Sequence, residues 1–180
     1  MTRAAATPDE QALLDVAREA IAARLEGRAF APPQLPASFG DTPCAVFVTL
    51  REPSGALRGC IGRLEPSRPS LAHEIAESAV SAALEDPRFP PVSRQELDDL
   101  TLEISVLEPP EPVCGLHDLD PKRYGVVVHS GHLRGVLLPD VDGVDTAEQQ
   151  VSIARMKARV SPAAAYELER FRVRKVPGGA

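Results

Sequence analysis

The stretch Ser54-Gly55-Ala56-Leu57-Arg58-Gly59 recurs as Ser130-Gly131-His132-Leu133-Arg134-Gly135, with five of six residues identical. Each copy opens on a Ser-Gly turn signal and lies between two apolar runs. Around the first copy, residues 44–50 are β-branched and apolar and residues 56–64 continue as a second strand, so the pair reads as a hairpin. Around the second, residues 124–128 and 133–138 repeat that arrangement. A helix follows each hairpin. Ser70 caps one from Leu71 to about Glu85, with Leu71, Ile75, Ala79 and Ala82 on one face. Thr146 with Gln149 caps another that runs to about Val160. Two strand–turn–strand–helix units point to an internal duplication, to antiparallel sheets and so to an α+β fold of two similar lobes. A crevice between such lobes is the natural place for a ligand.

The remaining elements attach to this frame. Thr7, Pro8 and Glu10 form an N-cap, a first-turn proline and a capping box for an N-terminal helix, with Leu14, Ala17, Ile21 and Leu25 at helical spacing and Gly27 as its stop. Residues 31–43 are proline-rich and read as an extended linker. Ser93 with Glu96 caps a short helical turn, and residues 101–107 alternate as a strand, with Leu102, Ile104 and Val106 on one face and Thr101, Glu103 and Ser105 on the other. Residues 109–112 read as a loop, Ser161-Pro162 as the start of a short helix, and 171–176 as a final strand.

The chain has 180 residues, with 20 Lys and Arg against 26 Asp and Glu, a formal charge of −6. That acidic balance argues against nucleic acid and anionic membranes as partners, since both demand a positive footprint. No tryptophan and 4% aromatics argue against base-stacking platforms. No apolar run reaches the length that spans a bilayer, and residues 1–8 lack the apolar core of a secretory signal. Three cysteines, Cys44, Cys60 and Cys114, are too widely spaced for a zinc site and odd in number. They fit reduced thiols in a cytoplasmic protein.

Strand parity sets Arg58, Cys60 and Gly62 on one face and Leu57, Gly59 and Ile61 on the other. A guanidinium two residues from a thiol favours thiolate, the nucleophilic form, while Gly59 and Gly62 allow close approach by backbone or ligand. Against this stands burial, the commonest fate of a free cysteine; Val136 holds the equivalent place in the second copy, and Cys44 and Cys114 read as packing residues. Asp86 and Arg88 leave a helix end together, either as a surface ion pair or as an anion clamp and its orienter. Glu103 is the candidate general base if its strand face lines a crevice. His129 and His132 flank a turn as half a metal site with no further ligand nearby, so no metal is expected. His73 and Glu77 read as a solvated pair.

Leu57-Arg58-Gly59-Cys60-Ile61-Gly62 resembles the signature of the AMMECR-type domain family, whose prokaryotic members are called AmmeMemoRadiSam system protein A. Asp86-Pro87-Arg88-Phe89, Glu96-Leu97, Glu103-Ile104-Ser105-Val106-Leu107 and Leu137-Leu138-Pro139-Asp140-Val141 resemble further blocks of that family in the same order. The chain departs from the pattern at Arg159, where the family has Gly, at Asp140, where it has Gln, and at Tyr166, where it has Trp. The resemblance implies a single domain over 1–180, with an N-terminal helix and two fused lobes of duplicated β-α-β-β units, approximately 8–112 and 113–176. It also implies association with a Memo-type protein and a radical SAM enzyme, without an established reaction or cofactor. Two functions follow as expectations, beside a third reading in which Arg58 pairs with a nearby carboxylate and the whole signature is structural. One is an enzyme or enzyme subunit taking a small anionic or carbonyl-bearing metabolite between the lobes, with Cys60 and Glu103 catalytic and Arg58, Gly59, Gly62, Asp86 and Arg88 binding substrate. The other is a non-catalytic adaptor that docks a partner protein.

Overall fold

The computed structural model describes residues 6–40, 42–161 and 163–178. The reading of residues 1–5 and the Pro162 start of a short helix lie outside them. The chain divides into two compact units, one running to Val106 and resuming at Arg174, the other spanning Leu107–Val173.

In the first unit, Thr7 and Glu10 exchange the two hydrogen bonds of a capping box and start helix α1, Pro8–Leu25. The expected stripe holds, with Leu14, Ala17 and Ile21 buried. Strands β1 (Val46–Arg51) and β2 (Leu57–Gly62) form the hairpin. Helix α2 (Leu71–Leu84) begins at Ser70 as expected, and a second capping box at Ser93 and Glu96 starts the single turn α3, Arg94–Leu97. Strand β3 covers Thr101–Leu107 and strand β8 covers Val173–Val176. The sheet order is β2-β1-β3-β8, with β2 at an edge. Val46, Val48 and Leu50 of β1 and Leu102 and Ile104 of β3 pack with Leu13, Ile21, Leu71 and Ile75 of the two long helices into one core.

The second unit holds strand β4 (Glu111–Val113), a 3-10 turn at Leu116–Asp118, strands β5 (Gly125–Ser130) and β6 (Leu133–Leu137), helix α4 (Ala147–Lys157) and strand β7 (Glu167–Phe171). Its sheet order is β4-β7-β5-β6. Val126, Val128 and Leu137 meet Val151 and Ala154 of α4 in a smaller core.

Both sheets are antiparallel in the pairings β1–β2, β1–β3, β5–β6, β5–β7 and β4–β7, the α+β arrangement the hairpins imply. Along the chain the first unit runs α1, β1, β2, α2, α3, β3 and β8 and the second β4, β5, β6, α4 and β7, so a hairpin, a helix and a strand recur in that order in each. Three points correct the sequence reading. Residues 109–112 are not all loop: Pro112 sits in β4 at a sheet edge, where its missing N–H costs no ladder bond. The expected strand over 171–176 is two strands, β7 in the second sheet and β8 in the first, with Arg172 between them. The lobe boundary at 176 therefore moves back, since β8 joins the first sheet.

The two echoed glycines do the same work in their own units. A side-chain carbon on Gly59 would overlap the carbonyl oxygen of Ala82 in α2, and one on Gly135 would overlap that of Ala154 in α4. Each hairpin lies against its helix at a distance only glycine permits. Helix α4 ends at Arg159 with φ 57°, a left-handed residue, and Val160 and Arg159 donate back to Arg155 and Met156 as a Schellman motif requires. Helix α1 ends in the same motif on Gly27, φ 66°. Among the described residues no helix is long and apolar enough to cross a membrane.

Candidate functional site

Where β2 pairs with β1, the register runs Thr49 to Cys60 and Leu50 to Gly59, then shifts so that Arg51 faces Leu57. Arg58 is the extra residue of a bulge. This displaces the parity argument, which needed an unbroken strand. The Arg58 side chain, 7% exposed, leaves Cys60 and pairs with Glu96 of α3 through Nε and Nη2, while Nη2 also donates to the carbonyl of Pro90 at 2.9 Å. The Arg58 guanidinium holds the Glu96 carboxyl below the usual carboxylate range. Arg58 thus ties β2 to α3 through Nε and Nη2.

The cation beside Cys60 is Arg88. Asp86, just past the end of α2 and 4% exposed, accepts from Arg88 Nε at 2.9 Å on one oxygen and from Arg88 Nη2 at 2.7 Å on the other. That second oxygen also accepts the Cys60 N–H at 2.9 Å, and Arg88 Nη2 donates to the Cys60 carbonyl at 3.2 Å. Because β2 is an edge strand, these two backbone groups point away from β1, where a neighbouring strand would meet them. The Asp86–Arg88 pair takes that strand's place. The Arg88 guanidinium, first of all, and the Cys60 N–H hold the Asp86 carboxyl well below its ordinary range against the opposing effect of desolvation. Asp86 in turn raises Arg88. The Arg88 side chain remains 52% exposed while it holds the Cys60 backbone.

Cys60 is half-buried. It faces Thr49 in a pair of the kind that brings side chains together, and the Thr49 hydroxyl donates to its Sγ at 3.2 Å. On the other side of β1, Thr49 faces Glu103 of β3. Directly opposed residues share a face, so Cys60, Thr49 and Glu103 form a row across three strands. Thr49 is not singled out in the sequence reading, and Glu96 enters it only as a capping residue and as part of a family block. The hairpin turn carries a partial signal for Thr49, but continuing the Arg51–Leu57 register without the bulge would pair Thr49 with Gly59 instead of Cys60.

The other candidates are placed differently. Gly59 admits the backbone of α2, and a side-chain carbon on Gly62 would overlap the Val46 carbonyl and the Phe47 ring, so these glycines serve packing within the unit. Cys44 is half-buried and its burial pushes the thiol up; Cys114 is exposed rather than packed. Glu77 pairs with Arg68 and Arg63 instead of His73, whose Nδ1 lies 2.8 Å from the Ser70 hydroxyl. His129 Nε2 meets Glu169 at 2.6 Å. Among the described residues no three His, Cys, Asp or Glu side chains are grouped to hold a metal.

A family model described as AMMECR1 matches residues 14–176. A Thermotoga maritima protein is 55% identical over 114 residues, covering 63% of this chain and 66% of that protein. A Clostridium acetobutylicum protein is 43% identical over 133 residues, covering 74% of this chain and 28% of that protein. The chain thus spans just under two thirds of the first relative and little over a quarter of the second. The crystal structure of a Pyrococcus horikoshii protein, described as uncharacterized, superposes with a TM-score of 0.76 at 33% identity, covering 91% of this chain and 88% of that one.

Proposed function

The chain belongs to the AMMECR1 family, and on that premise we propose that its first unit carries a thiol site acting on a small anionic or carbonyl-bearing metabolite. The carrying observation is the environment of Cys60: the Thr49 hydroxyl on its sulfur and the half-exposed Arg88 guanidinium on its backbone. The first donates to the sulfur itself, and the second brings a cation to the same residue of the edge strand. In this reading Cys60 Sγ adds to a carbonyl carbon. The S–C bond forms as the C=O π bond opens, and the thiol proton passes to the new alkoxide oxygen. Glu103, one strand beyond Thr49 in the same cross-strand row, takes up and returns that proton as general base and acid. Arg88 holds the substrate's anionic group, with Asp86 orienting the guanidinium.

The family resemblance supports a place for this step beside a Memo-type protein and a radical SAM enzyme. The unpaired cysteines support a reducing, cytoplasmic compartment. The matched hairpin–helix contacts at Gly59 and Gly135 support an origin of the two units by duplication.

Peptide-level mass spectrometry of iodoacetamide labelling tests the site, with exposed Cys114 as internal reference. Cys60 is expected to label at least as fast as Cys114 near neutral pH and to slow severalfold in Thr49→Val and Arg88→Gln. Labelling of Cys60 only on unfolding overturns the nucleophile. A second reading, the adaptor, draws on the hydrogen bonds that Asp86 and Arg88 spend on the β2 backbone. Co-purification with the Memo-type or radical SAM protein that survives Cys60→Ala favours it.

A further inference from the structure

The second unit carries an open groove of about 760 Å³ lined by Pro112, Val113, the segment after β4, His129, Gly131 and residues 166–169. We propose that it binds a small organic cation bearing ammonium groups. The register explains the lining. Pro112 faces Glu169, and His129 faces Glu167, across adjacent strands, so these four share the face of the sheet opposite Val126 and Val128, which pack on α4.

The volume is that of a metabolite site, and the chemistry of the wall selects the ligand class. Two carboxylates, Glu167 and Glu169, line it with one imidazole, and no lysine or arginine does. The Cys114 N–H, the donor an anion would seek, is already given to Asp118 at 3.0 Å. A metal ion is disfavoured, because among the described residues no three ligating side chains converge. An organic cation remains. It satisfies carboxylates through N–H donors without a fixed coordination shell and lies against an aromatic face. Tyr166 supplies such a face and already receives the Arg155 guanidinium 4.5 Å from its ring centre. His129, at 2.6 Å from Glu169, is a positioning residue that fixes one carboxylate oxygen and leaves the other for the ligand. Tyr166 stands where the family pattern has Trp, so the ring that meets the ligand is particular to this chain.

Amide-resolved NMR titration of the full chain tests the site, using putrescine as a dication and succinate as its anionic counterpart of similar length. Putrescine is expected to move the amides of Cys114, Gly115, Gly131 and Leu168 saturably, and succinate is not. Glu169→Gln is expected to weaken putrescine about tenfold, as the loss of one close charge pair does, and Glu167→Gln serves the same purpose should the first variant fold poorly. No saturable movement with putrescine, an equal response to succinate, or undiminished binding in a folded variant overturns the proposal.

Discussion

The carboxylate of Asp86 accepts the backbone N–H of Cys60 at 2.9 Å across a sequence separation of 26 residues, and this bond holds the signature strand in place from its open side. Asp86→Asn keeps the shape but weakens the charge-assisted bonds to Arg88 and Cys60, and is expected to cost about 1–3 kcal/mol. The pH dependence follows from the sign of the shift. Arg88 lowers the folded-state pKa of Asp86 below its unfolded value, so the stability it contributes is fully present above the ordinary carboxylate range and is lost as pH falls through that range toward the folded value. Urea midpoints from neutral pH to pH ~3 are expected to fall more steeply in the wild type than in Asp86→Asn. Parallel slopes would count against the assignment.

Gly59 and Gly135 should be among the least replaceable glycines. An added methyl meets a helix carbonyl in each case, and neither backbone nor helix can withdraw cheaply. Alanine at either is expected to cost about 3 kcal/mol or to prevent folding. Gly55 and Gly131, left-handed but facing open space, are expected to lose only about 1 kcal/mol on the same change. Thermal denaturation of the four alanine variants distinguishes contact from conformation.

Arg159 occupies a left-handed position without glycine's freedom. Arg159→Gly is therefore expected to stabilise the protein by about 0.5–1 kcal/mol, while Gly27→Ala, at the matching position of α1 with nothing within 4 Å of the new methyl, costs about 1 kcal/mol. Opposite signs in the melting-temperature shifts are the checkable outcome.

Glu74 is 1% exposed and accepts the N–H groups of Ser67 and Arg68, fixing the loop that leads into α2. Glu74→Gln removes the charge from both bonds and can turn an amide donor toward them. A loss of about 1–3 kcal/mol is expected, with faster amide exchange at Ser67 and Arg68 than at Val48 in the core. Exchange that rises uniformly instead would show that the loop is held by something else.

Much of the fold was legible because its signals are local. The capping boxes at Thr7, Ser93 and Thr146 close within three residues, and the alternation of residues 101–107 needs only neighbours to be read; each gave an element with bounds close to those observed. The site was less legible. The sequence identified Cys60, Asp86 and Arg88 as a group, and the structure brings them together, but it set Arg58 beside the thiol when a bulge sends that side chain to Glu96, 38 residues away. The split of residues 167–176 between two sheets was hidden for the same reason, since both halves have strand-like composition.

The sequence by itself determined the antiparallel α+β architecture, the helix starts, the paired hairpins and the membership of Cys60 in a polar, glycine-rich strand. Capping, periodicity and turn chemistry act over a few residues, so their outcome is written in order along the chain. Only the tertiary structure decided that Thr49 donates to the sulfur, that Arg88 rather than Arg58 is its cation, and that Glu169 finds His129 in the second unit. Those choices depend on register and on which chain segments meet across a sheet or against a helix, and a single extra residue in β2 was enough to exchange one arginine for another.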